Sequence, residues 1–149
     1  MIHHPKVRDG KSIQKLVNHY ATGGLLIPLS LQEIYERIWD FFIYKIDENI
    51  LGVASLHIIW EDLAELRSLA VHAGHQRQGI GKALVIHALD EARGLELKKV
   101  FLLTYQKAFF EKFGFREVHK SELPHKVWSD CIKCIKFPDC DEIAMALEL

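Results

Sequence analysis

The sequence predicts an α/β (α+β) chain built on a mixed, mainly antiparallel sheet, from three observations. Three apolar runs, Phe41–Ile46, Ile50–Trp60 and Leu63–Val71, follow one another with only Asp47-Glu48-Asn49 and Glu61-Asp62 between them, the spacing of an antiparallel meander. The last of these runs then passes through a glycine-bearing turn, Gln76-Arg77-Gln78-Gly79-Ile80-Gly81, into a helical pattern. Beyond that helix short apolar strands and helical segments alternate to the end of the chain.

Taken in order, Ile2–Val7 contains a short first strand. Asp9 stands where a helix cap is needed, and Ile13, Leu16, Val17 and Tyr20 recur at helical spacing until Gly23-Gly24 ends the pattern. Leu25–Leu29 is an apolar connection, fit for core or for a lid. Ser30 and Glu33 form a capping box for a second helix from Leu31 to about Trp39. Ile50–Trp60 is apolar on both faces and is expected at the centre of the sheet. The helix Gly79–Arg93 carries Ile80, Leu84, His87 and Ala88 on one side, and Gly94 breaks it. Lys99–Thr104 is a continuous apolar strand, Gln106–Phe113 a helix stopped by Gly114, and Phe115–Val118 the start of another strand. A long loop covers 119–141, and Glu142–Leu149, with Ile143, Met145 and Leu147 alternating, closes the sheet.

At 149 residues the expectation is a single domain spanning 1–149, long enough to bury a core. A net charge of −1 offers no global field for nucleic acid or an anionic membrane. No apolar run reaches transmembrane length, and the N-terminus lacks a signal peptide's apolar core, so a cytoplasmic protein is expected. Three cysteines, an odd number, argue against a secreted disulfide scaffold.

The turn at 76–81 is an anion-binding device. The first N–H groups of a helix have no intrahelical partner, and the helix dipole adds positive potential there. Gly79 and Gly81 let a phosphate approach the backbone, while Arg77 and Lys82 add charge at the rim. The spacing is not G-x-G-x-x-G, and no Gly-Lys-Ser/Thr closes it as in a P-loop. It does fit Gln/Arg-x-x-Gly-x-Gly/Ala, and with the Leu69-Ala70-Val71 strand before it the chain resembles the GCN5-related N-acetyltransferases. The resemblance implies a twisted mixed sheet with helices on both faces. It implies acetyl-CoA as co-substrate, its pyrophosphate gripped by Gln76, Arg77, Gln78, Gly79, Ile80, Gly81 and Lys82. It also implies that Leu69, Ala70 and Val71 offer backbone groups to the pantetheine arm where their strand splays from its neighbour. The first helix–loop–helix would lie over the substrate side.

Acetyl transfer to an amine needs a base, N–H donors for the developing oxyanion, and an acid for the departing thiolate unless water serves. Glu65 and Arg67 share one strand face, roughly 7 Å apart along it. They read either as a surface ion pair or as a base with a carboxylate-holding cation, the latter suited to arginine's planar fork. His57, His72 and His75 are alternative bases; His75 is better placed to fix the phosphate loop and His57 to pack in a strand. Ala108–Phe115 resembles the family's later motif, with Phe110 where the family carries a tyrosine acid. A phenyl ring has no proton to give, so Phe110 is expected only to contact the cofactor, and Tyr105 is the candidate acid.

The C-terminal segment, Leu-Pro-His-Lys-Val-Trp at 123–128 followed by Cys131, Cys134 and Cys140, resembles the short amino-acid acetyltransferases of the N-acetylglutamate synthase type, as do Tyr20-Ala21, Leu29-Ser30 and Leu66–Val71. This resemblance implies L-glutamate as the small-molecule acceptor and a place in arginine biosynthesis, with no amino-acid-kinase domain. Arg67 and Lys126 are then the candidate cations for its two carboxylates. Another small amine, a protein amine, or a non-catalytic CoA-binding role are the alternatives, and a homodimer is left open. No metal is expected. Cys131, Cys134 and Cys140 are three zinc-type ligands for which His125, Asp130 or Asp141 would have to supply a fourth, and reduced or reversibly oxidised cysteines fit the spacing equally.

Overall fold

The computed structural model describes residues 2–123 and 142–149. Among the described residues seven strands form one sheet: β1 (Ile2–His3), β2 (Phe41–Ile46), β3 (Asn49–Trp60), β4 (Leu63–Val71), β5 (Lys99–Thr104), β6 (Arg116–Val118) and β7 (Ile143–Glu148). Their spatial order is β1-β2-β3-β4-β5-β7-β6. Every neighbouring pair is antiparallel except β4 and β5, which run parallel. The meander read from the short turns is β2-β3-β4, and the doubly apolar β3 lies inside the sheet.

Helices α1 (Gly10–Ala21) and α2 (Leu31–Glu36) cover one face; α3 (Ile80–Gly94) and α4 (Lys107–Glu111) cover the other. Strand alternation decides which residues meet which helix. Leu84, Val85, Ala88 and Phe110 bury against Phe42, Leu56 and Leu66. On the opposite face Ile13, Val17 and Ile34 bury against Phe41, Val53 and Ala70. Farther along that second face lies a third cluster, with Phe101, Val118 and Ala144 at its centre. Between these two clusters runs a polar band that forms the site below.

Several local expectations shift for identifiable reasons. The first strand is two residues long, because Val7–Asp9 turns as a 3₁₀ helix into α1. Asp9 does stand at the N-cap of α1, but its Oδ2 accepts from the Lys6 backbone N–H at 2.8 Å and so closes that 3₁₀ turn instead. Ser30 caps α2, accepting from the Glu33 backbone N–H at 3.1 Å, but the Glu33 carboxylate accepts from the Ser30 hydroxyl, so only the Ser30 half of the expected box forms; α2 ends at Glu36 and the chain tightens to a 3₁₀ turn at Ile38–Asp40. α3 includes Gly94 as its last residue and is closed by a Schellman motif beyond it, with Glu96 at φ 61, its N–H on the Arg93 carbonyl and the Leu97 N–H on the Ala92 carbonyl. Among the described residues no helix is long and apolar enough to cross a membrane.

Candidate active site

Strands β4 and β5 pair over only Leu63–Lys99, Ala64–Val100 and Glu65–Phe101, and then part. From Leu66 onward β4 is no longer laddered to β5, which opens a backbone edge in the middle of the sheet. A bulge accompanies the parting. On β3 two steps lead from Ser55 to Val53; on β4 three lead from their partners, Arg67 to Ala70. The extra residue is accommodated by Ser68 at φ 58, a left-handed conformation uncommon for serine. Ser55 Oγ donates to the Arg67 carbonyl at 3.1 Å and holds the bulge.

At the far end of β4 the Tyr20 hydroxyl, from α1, donates to the Val71 carbonyl, and Gln76 Nε2 donates to the Tyr20 oxygen at 2.7 Å. One phenol thus ties α1, the end of β4 and the first residue of the phosphate loop together. Val71, expected to offer backbone groups to a ligand, has its carbonyl engaged by Tyr20. The helical spacing marked Tyr20 only as a core position, because its partners lie 51 and 56 residues away.

The loop itself is shaped for an anion. Arg77 at φ 64 and Gly79 at φ 82 turn the chain so that the Gly79 carbonyl accepts the first α3 bond, from Ala83 N–H at 3.0 Å. The N–H groups of Ile80, Gly81 and Lys82 then lie within the first turn, where the helix provides no acceptor. A Cβ built on Gly79 meets nothing within 4 Å, so the space before this turn is open. Gln76, Arg77, Gln78 and Gly79 are exposed and Lys82 stands beside them, whereas Ile80 is buried and anchors the helix. His72 caps the preceding 3₁₀ turn, accepting from the Gly74 N–H at 3.2 Å, and its Nδ1 lies 3.2 Å from that of His75. These residues fit a pyrophosphate.

The polar band lies beside the parted strands. Ser55 stands opposite Arg67 and His57 opposite Glu65, so all four share the α1/α2 face. Glu65 is only 7% exposed, and Arg67 Nη1 lies 3.6 Å from its Oε1. The burial removes the surface-pair reading of these two. A pocket opens over them, walled by the apolar connection (Leu25, Leu26, Ile27 and Leu29) and rimmed by Glu33 and Arg37 of the α2 segment. Asp40 also lines it and holds His57 Nδ1 at 2.6 Å. Sequence reasoning passed over Arg37 and Asp40. Arg37 follows the buried Ile34 by three residues, a helical spacing that could have placed it inward.

Other expected residues are placed differently. Tyr105 is half-buried directly after β5, two residues beyond the pocket-lining Leu103. Phe110 is 6% exposed and packs in the core, its ring 5.0 Å from that of Phe109 and 5.8 Å from that of Phe115. The ring next to Gly81 is the half-buried Phe109, since adjacent helical residues point about 100° apart. Lys126, Cys131, Cys134 and Cys140 lie outside the described residues. Among the described residues no group of three or more His, Cys, Asp or Glu side chains is placed to hold a metal ion.

Comparison with known proteins agrees with this geometry. The acetyltransferase (GNAT) family matches residues 15–115. An uncharacterized N-acetyltransferase of Chlorobaculum tepidum is 34% identical over 148 residues, covering 99% of this chain and 96% of the relative. The amino-acid acetyltransferase of Mycobacterium tuberculosis is 32% identical over 133 residues, 87% of this chain and 76% of that one. Among solved structures, a Mycobacterium tuberculosis protein in complex with CoA superposes with a TM-score of 0.85 at 30% identity, over 100% of this chain and 99% of that chain. The N-acetylglutamate synthase of Neisseria gonorrhoeae, complexed with coenzyme A and N-acetyl-glutamate, gives 0.91 at 26% identity, over 100% of this chain and 35% of that chain.

Proposed function

This chain belongs to the acetyltransferase (GNAT) family, and from that premise we propose that it transfers the acetyl group of acetyl-CoA to the α-amine of L-glutamate. The observation that carries the reading is the Glu65–Arg67 pair at the point where β4 parts from β5, with Glu65 buried on the last paired position and Arg67 just beyond it, beneath a pocket with a second guanidinium, Arg37, at its rim. The pyrophosphate of the donor is held by the first turn of α3 with Arg77 and Lys82, and the parted edge of β4 receives the pantetheine arm. Backbone N–H groups near Leu69 and Ala70 stabilise the oxygen that gains charge. Glu65 takes a proton from the acceptor amine, through water, and the amine nitrogen then attacks the thioester carbonyl. The carbon–sulfur bond breaks as the amide forms, and the departing thiolate takes its proton from Tyr105 or from solvent. Arg67 and Arg37 hold the acceptor's carboxylates by paired N–H donation. Arginine biosynthesis is the setting this product suggests.

The charge of the described lining favours a second reading of the acceptor. Glu33, Asp40, Glu65 and Glu142 face only two guanidiniums there, which suits an amino acid with one carboxylate and an uncharged side chain better than a dianion. One experiment tests both. Initial rates of CoA release from acetyl-CoA are measured against the common amino acids with a no-acceptor blank, and each product is weighed by mass spectrometry. Saturable release with L-glutamate and the mass of its N-acetyl derivative is the expected result. Preference for an uncharged amino acid would replace glutamate and keep the site. Acetyl-CoA binding without release for any amino acid would withdraw amino-acid acetylation.

A further inference from the structure

His57 stands directly across the β3–β4 ladder from Glu65, which brings the two Cβ atoms to about 5 Å of each other on the pocket face. Its ring is held by Asp40, which lines the pocket and whose Oδ2 lies 2.6 Å from Nδ1. An ionised carboxylate only accepts, so Nδ1 carries the hydrogen of this bond and Nε2 is left as the nitrogen that can gain or lose a proton. A carboxylate that orients one side of an imidazole also stabilises the imidazolium when it forms.

Glu65 needs such a neighbour. Its side chain is 9% exposed, against 28% for His57 and 25% for Asp40. A proton accepted by so buried a carboxylate must leave before the next turnover. Arg67, beside Glu65 on the same strand, has no lone pair to receive it. His57 has one and is the more exposed of the two residues.

Resting on the reading that Glu65 takes the amine's proton, we infer that the Asp40–His57 pair is the positioning and proton-relay partner of Glu65. In the relay the amine's proton goes to the Glu65 carboxylate, then to His57 Nε2, whose imidazolium Asp40 stabilises, and then to water; Glu65 and His57 are both restored. His57 therefore acts through Glu65 and touches neither the amine nor the thioester.

The test is a steady-state series on the whole chain with the best acceptor of the amino-acid panel. His57→Ala lowers kcat about tenfold or more at neutral pH while KM for acetyl-CoA stays at the wild-type value. Added imidazole restores kcat in a concentration-dependent way, a rescue that a packing role would not give. Asp40→Asn keeps the ring, lowers kcat, and is not rescued. Should His57→Ala fail to fold by circular dichroism, His57→Gln replaces it and must show the same loss of kcat. Folded variants with wild-type kcat, or a loss in His57→Ala that imidazole leaves untouched, overturn the inference. Glu65→Gln is measured alongside. Loss there with full activity in the His57 and Asp40 variants overturns the relay alone, whereas wild-type kcat in Glu65→Gln overturns the base assignment beneath it.

Discussion

Arg67 stands at the middle of β4 and Tyr20 bonds its last residue, and their removal should separate the two substrates. Arg67→Ala deletes a guanidinium from the pocket on the α1/α2 face, whereas the phosphate loop leads into α3 on the other face. A charge-assisted bond to a carboxylate is worth about 1.5–3 kcal/mol, so KM for the acceptor should rise about 10- to 100-fold with that for acetyl-CoA little changed. Equal effects on both would remove the role assigned to Arg67. Tyr20→Phe deletes the hydroxyl that joins the Val71 carbonyl to Gln76, two neutral bonds worth about 1 kcal/mol each. Here KM for acetyl-CoA should rise several-fold and that for the acceptor should hold. The pair Lys107–Glu117 shows what proximity alone does not confer. Lys107 Nζ lies 2.8 Å from Glu117 Oε1 on the open surface. Their hydrogen bond, with the charge attraction behind it, holds Lys107 above and Glu117 below their ordinary ranges. Whatever stability the pair lends is present above the ordinary glutamate range, is lost as pH falls through the lowered Glu117 value, and is lost again at high pH as Lys107 deprotonates. With both side chains open to solvent, it should matter little. Lys107→Met and wild type are expected to melt together at pH 7.

At the scale of the element, α3 must bring its N-terminus against the sheet while keeping its first turn open. Gly52 on β3 makes the approach close: a Cβ there would stand 2.7 Å from Ile80 Cγ2 and 2.9 Å from Leu84 Cδ1, both on buried residues. Gly52→Val should therefore cost about 1–3 kcal/mol by overpacking and push the anion-binding turn outward, read as a lower Tm together with a raised KM for acetyl-CoA. The other end of α3 admits improvement. Glu96 occupies the left-handed position of the Schellman motif, where an L side chain is strained by about 1–2 kcal/mol and glycine is not. Glu96→Gly should raise stability by about 0.5–1 kcal/mol in a denaturant melt, net of glycine's greater unfolded-state freedom. The two cases mark what the sequence can and cannot disclose. Phe41–Ile46, Leu63–Val71 and Lys99–Thr104 are legible to the residue because apolar runs meet turn residues at both ends. The left-handed turn at Glu96 is not, since Gly94 two residues earlier is the more usual stop. Nor is the bulge at Ser68, where a serine follows and precedes ordinary strand residues. Glu65 and Arg67 were legible as a pair because two charges at period 2 interrupt an apolar strand. Asp40 was not, because only the register of β3 against β4 brings its partner His57 to the site.

For the molecule as a whole, the same feature that makes a site leaves a weakness. The sheet is continuous from β1 to β6, yet at its centre the backbone ladder is reduced to three β4–β5 pairs before the strands part. One half carries the meander with α1 and α2, the other carries β5, β6 and β7, and the cluster beneath α3 and α4 spans both. A ligand seated between the parted strands and on the first turn of α3 would bridge the two halves and bind only the folded chain. Linkage then predicts stabilisation by RT ln(1 + [L]/Kd), about 2.7 kcal/mol at a hundredfold excess over Kd. For a chain of 149 residues this amounts to a rise in Tm of about 5–11 °C. Scanning calorimetry with increasing acetyl-CoA should show that rise continuing with the logarithm of concentration. Gly79→Val supplies the control. The residue stands at φ 82, so valine strains the turn, and its side chain would fill the open space in front of the first helical N–H groups. The variant should melt within a few degrees of wild type without ligand and gain little from acetyl-CoA. A folded Gly79→Val protein with an undiminished ligand-induced rise would place the donor somewhere other than the α3 N-terminus, whatever the amine on the other side of the sheet.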